Sequence, residues 1–141
     1  LKFENGVNSE VRTFLINFSR WLRENYVFPM RVMIYIKKSE FIKALDGEMV
    51  SGTFFGPFNH YYEPYIKIAT GDYDDLVYER GTESALVAIA RTLAHELTHY
   101  FQWINNVELT EKQEERQADY YGKRILTLYF AYGYESHYKE I

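Results

Sequence analysis

Hydrophobic and polar positions along the chain separate into four periodic stretches. In 8-NSEVRTFLINFSRWLRENY-26, Asn8 or Ser9 caps a helix that places Val11, Phe14, Leu15, Phe18 and Leu22 on one face. After Pro29, the run 30-MRVMIYIKK-38 puts Val32, Ile34 and Ile36 on one side and Arg31, Met33, Tyr35 and Lys37 on the other, which predicts a half-buried strand. Residues 82–104 contain neither Gly nor Pro, start after Gly81 and stop at Asn105-Asn106, so a long helix is expected there. A last helix opens at 110-TEKQ-113, where Thr110 and Gln113 fit a capping box, and continues with Ala118, Tyr121, Ile125, Leu128 and Tyr132 at helical spacing.

Between the first strand and the long helix, Asp46-Gly47, Gly56-Pro57 and Gly71-Asp72 punctuate short aromatic and β-branched runs. They predict strands near 50–56 and 64–70. Pro64 cannot donate to a ladder, so 65-YIKIAT-70 is expected at a sheet edge, with part of its backbone open to another chain. The pattern as a whole is α+β: an N-terminal helix, a small mixed sheet of three to four strands, a long helix and a C-terminal helix.

A length of 141 residues suits one domain spanning 1–141, because dividing it would leave too little apolar surface for two cores. With 47% hydrophobic and 26% charged residues, the chain has the make-up of a globular domain, and no apolar run approaches a membrane span. A net charge of -4 argues against nucleic acid as a partner. Cysteine is absent, which removes disulfides and thiolate zinc sites and leaves His, Asp and Glu as the only metal ligands. Leu1 in place of Met leads to the expectation of a chain trimmed or excised from a longer one, and the lack of a visible signal segment and of disulfides to an expected cytoplasmic location. The 14 Tyr and 10 Phe fit a core and rim of amphipathic rings, or a cleft that grips peptides.

Chemistry concentrates in 95-HELTH-99. At about 100° per residue, His99, Thr92 and Ala88 fall within about 60° of His95, whereas Leu86, Ile89, Leu93, Leu97, Tyr100 and Phe101 lie on the opposite side. The histidines therefore sit off the core stripe. One turn apart, both can direct a nitrogen at one ion, and Glu96 borders their face where its carboxylate can take a proton from metal-bound water. The alternative is a plain helix with two solvent-facing histidines, but this motif arises by chance only roughly once in a hundred chains of such length and composition. Catalytic zinc wants a third protein ligand, and Glu115 on the last helix can supply it while Asp119, on the same face, accepts a hydrogen bond from a ligating histidine. Glu114, His60 and His137 are its competitors. Gly122 would let the two helices approach closely.

His95, Glu96 and His99, followed by Glu115, Ala118 and Asp119 in E-R-Q-A-D, resemble the gluzincin branch of the zincin metallopeptidases, and the element order is similar to minimal zincins such as the ImmA/IrrE-type peptidases. The resemblance implies Zn²⁺ held by His95, His99 and Glu115, Glu96 as general base, and an edge strand, expected at 65–70, that binds an extended peptide or protein substrate antiparallel. A Tyr or His must assist the oxyanion, and Tyr61, Tyr62, Tyr120, Tyr121, His60 and His137 all qualify chemically. Two other functions fit the same residues: a zinc-binding peptide or protein interaction module that does not cleave, and a metal-free interaction domain with a Tyr-rich surface.

Overall fold

The computed structural model describes residues 1–134, and it is α+β, as the hydrophobic pattern predicts. His137 lies outside the described residues. A two-residue strand β1 (Lys2–Phe3) leads into helix α1 (Ser9–Asn25), capped by the Asn8 side chain, which accepts from the Glu10 amide. Strand β2 (Met33–Lys37) follows, then the short hairpin β3 (Ile42–Lys43) and β4 (Met49–Val50), then β5 (Gly52–Phe55) and β6 (Tyr65–Ala69). Three helices complete the order: α2 (Tyr73–Arg80), α3 (Thr82–Ile104) and α4 (Glu111–Leu128), the last running into a π-helical turn at Tyr129–Gly133. Both halves of the capping box are present at Thr110 and Gln113.

The main sheet has the order β1-β2-β6-β5, with β1, β2 and β6 parallel and β5 antiparallel to β6. This corrects the expectation for 65–70. Strand β6 is internal, hydrogen-bonded on both sides, and the edge next to it is β5. Pro64 misleads because it stands one residue ahead of β6, where the ladder needs only its carbonyl, which accepts from the Met33 amide at 3.4 Å. Two neighbours suit the side chains of β6, since Ile66 and Ile68 are fully buried and Ala69 nearly so.

On the edge strand, the Ser51 carbonyl accepts from the Ala69 amide at 2.8 Å. Antiparallel alternation then turns the backbone groups of Thr53 and Phe55 toward β6 and those of Gly52 and Phe54 outward. Helix α3 lies across the face of the sheet and packs most extensively on α4. Ile89, Leu93 and Leu97 of α3 meet Val11, Leu15 and Phe18 of α1 and Ile36, Ile66 and Ile68 of the sheet in one core. The Tyr100 hydroxyl donates to the Met30 carbonyl and accepts the Met30 amide, which fastens the approach to β2 onto α3.

Two glycines mark where backbones crowd. A Cβ on Gly52 would stand 2.6 Å from Thr92 Cγ2 and 3.3 Å from Glu96 Cγ, so the edge strand can lie directly on α3 only without a side chain there. A Cβ on Gly122 would meet the His95 amide nitrogen at 3.3 Å, the close approach of α4 to α3 that its sequence position suggests. No helix of the described residues is long and apolar enough to cross a membrane.

Candidate metal centre

Helix α3 needs its apolar face for the core, so its remaining face, bearing His95 and His99, opens toward α4 and the sheet edge. Both histidines are partly exposed. Close packing at Gly122 brings Glu115 across from α4, where its carboxylate spans the pair: Oε2 lies 3.2 Å from His95 Nε2 and Oε1 lies 2.9 Å from His99 Nε2. One ligand atom from each of His95, His99 and Glu115 falls within 4.8 Å of the others, so the three can hold a metal ion. Zinc bonded at about 2.0–2.1 Å in a tetrahedron spaces its ligand atoms about 3.3 Å apart, close to the separations seen here.

The outer nitrogens of the rings decide what can sit between the inner ones. His95 Nδ1 faces Asp119 Oδ1 at 3.0 Å, and a carboxylate only accepts, so this nitrogen carries the proton. His99 Nδ1 faces Gln102 Oε1 at 2.8 Å. The amide orientation of Gln102 is set from its other end, because its Nε2 donates to the Glu114 carbonyl at 3.0 Å and to Gln117 Oε1 at 2.9 Å. His99 Nδ1 is therefore a donor as well. With a metal bound, rings holding their Nδ1 protons in this way would turn both Nε2 lone pairs to the ion beside the Glu115 carboxylate. That donor set fits a divalent metal.

Glu96 points elsewhere. It is 7% exposed and borders both clefts that open beside the histidines. Loss of hydration pushes its carboxyl up to about 7, assisted by the neighbouring Glu115 charge and opposed by His99. A buried carboxylate held next to a metal position suits a group that takes a proton and returns it, and a cation bound there would draw its proton affinity back down.

The larger cleft, about 540 Å³, runs from Glu96, His99 and Glu115 past Phe54, Gly56, His60 and Trp103 to the β3–β4 hairpin. His60 lies against Trp103 with ring centres 4.1 Å apart, the aromatic setting its sequence context suggests. Of the other candidate oxyanion partners, Tyr61, Tyr62, Tyr120 and Tyr121 are all exposed. Tyr121 borders a different pocket, between α3 and α4 on the side of Tyr26 and Val27.

Sequence reading missed Gln102, Gln117 and the true sheet edge. Gln102 carried a signal, since it stands three residues after His99 and so shares its face. No family model, curated protein or solved structure matches the chain.

Proposed function

We propose that the protein is a zinc-dependent metallopeptidase whose ion is held by His95, His99 and Glu115. The observation that carries this reading is the convergence of two imidazole nitrogens and one carboxylate, each ring fixed from behind, with a buried glutamate alongside. It agrees with the gluzincin resemblance of 95-HELTH-99 and 115-ERQAD-119. Zinc bound there would supply Lewis acidity, acidifying a water molecule and polarising a carbonyl.

The chain's own residues do the rest. Asp119 and Gln102 hold the rings in the tautomers that leave Nε2 available. Glu96 accepts a proton from the attacking water and delivers it to the leaving amine, and its burial keeps that proton from bulk solvent. The outward backbone groups of Gly52 and Phe54 pair with an extended peptide, laying the scissile bond beside the histidine face.

Glu96→Gln tests the assignment. The variant should keep about one zinc per chain while peptide hydrolysis falls roughly 10²–10⁴-fold, the usual contribution of a positioned acid–base group. Unchanged hydrolysis would remove Glu96 from its role. Intact peptides in wild type, with zinc bound and peptides captured, would instead make the protein a zinc-binding interaction module.

A further inference from the structure

The two clefts that meet at Glu96 carry opposite charge. The larger is bordered, beyond the metal position, by Asp46, Glu48, Glu111 and Glu114, and among the described residues no Lys or Arg lines it. The smaller, about 500 Å³, is bordered by Arg80 and Arg91, and among the described residues no acid other than Glu96 lines it. Neither arginine enters an ion pair among the described residues. The acids come from two separate elements, the hairpin and the start of α4, and the arginines from α2 and α3, so each charge is assembled by the fold rather than by one local run.

The edge strand orders these ends. Strand β5 travels along α3 in the helix's own direction, with Gly52 against Thr92 and Glu96 and Gly56 against Trp103. Its start, at Ser51 and Gly52, borders the arginine cleft, and the acidic cleft runs on from Gly52 along the strand to Gly56. A peptide added to β5 in the antiparallel sense, which gives the better ladder, enters with its N-terminal half beside Phe54 and Gly56 and leaves with its C-terminal half beside Ser51 and Gly52.

Building on the peptidase reading, we infer that the cleft selects extended peptides of one polarity, with Lys or Arg on the N-terminal side of the scissile bond and a carboxylate on its C-terminal side. The carboxylate is an Asp or Glu side chain or the peptide's own C-terminus. Both halves act through charge complementarity between the peptide and side chains that are mostly exposed, so selection weakens as salt is raised. The same charges disfavour a peptide lying the other way round, which sets the register of cleavage as well as its rate.

The test is a set of ten-residue peptides carrying Lys, Ala or Glu on either side of one cleavable bond, each with a free or an amidated C-terminus. Cleavage by the zinc-loaded protein is read by mass spectrometry, and binding of the same peptides to Glu96→Gln is read by fluorescence anisotropy. Peptides with Lys before the bond and Glu after it should be preferred roughly tenfold over neutral ones in both readouts. Arg80→Gln with Arg91→Gln should erase the C-terminal half of the preference, and Asp46→Asn with Glu111→Gln the N-terminal half, with zinc content unchanged. A preference for the free over the amidated terminus would identify the C-terminal carboxylate as the group read; indifference to it would identify the acidic side chain. Cleavage without charge preference, or with the reverse preference, overturns the inference and leaves the peptidase reading standing. Charge-directed binding without cleavage of any peptide does the opposite. Neither binding nor cleavage overturns both.

Discussion

Leu93 and His95 stand two residues apart on α3, and they belong to different problems. Leu93 is fully buried among α1 and the sheet, where any hydrophobic side chain of similar volume would keep the fold. His95 is partly exposed and touches Glu115 and Asp119 through its two ring nitrogens, so its chemistry rather than its volume matters there. The apolar face of the helix thus sets where α3 lies, and the polar face uses that position. Glu96 shows the tension between them, since it is buried as deeply as the core yet carries a carboxyl whose charged form burial disfavours. A helix selected for stability alone would hold an apolar residue there.

Changes on the two faces should separate stability from metal binding. The largest loss of stability is expected from Leu93→Ala, which removes a fully buried side chain and should cost about 2–5 kcal/mol in chemical denaturation. Zinc bound per folded chain should stay the same; a proportionate loss of metal affinity would mean that the two faces are coupled.

A smaller and opposite pattern is expected on the polar face. Gln102 is 6% exposed and holds His99 while its amide ties α3 to α4, so Gln102→Ala should weaken zinc roughly 10–100-fold and destabilise by about 1–3 kcal/mol. Asp119 is exposed, and Asp119→Ala should weaken zinc less than Gln102→Ala does, because water can replace its contact with His95. Competition titration with a zinc indicator measures both, and an Asp119 effect equal to or larger than that of Gln102 would put the main support of the rings on the other histidine.

The same contrast explains what could be read from the amino-acid order. Helix α3 was legible to the residue, because an uninterrupted 3.6-residue period between Gly81 and Asn105 leaves no other solution. The α4 start was legible from its capping box, and the pairing of His95 and His99 from their spacing. Elements whose stability comes from partners were not. Helix α2 buries only Tyr73 and has hardly any apolar face to betray it, and β1 is two residues long. The edge of the sheet depends on which strands meet across it, which Pro64 alone could not decide. The spacing of Gln102 from His99 was in the sequence, but what fixes its amide was not, since that exists only once α4 brings Glu114 and Gln117 against it.

The most direct measurement is zinc content by mass spectrometry on wild type and Glu115→Ala, purified side by side without added metal and again after zinc is added back and the excess removed. About one zinc per chain in wild type, lost or greatly weakened in Glu115→Ala, is the result a His95–His99–Glu115 centre requires. Zinc retained in the variant would contradict Glu115 as the third ligand, and no zinc in either protein even after addition would contradict the metal centre itself.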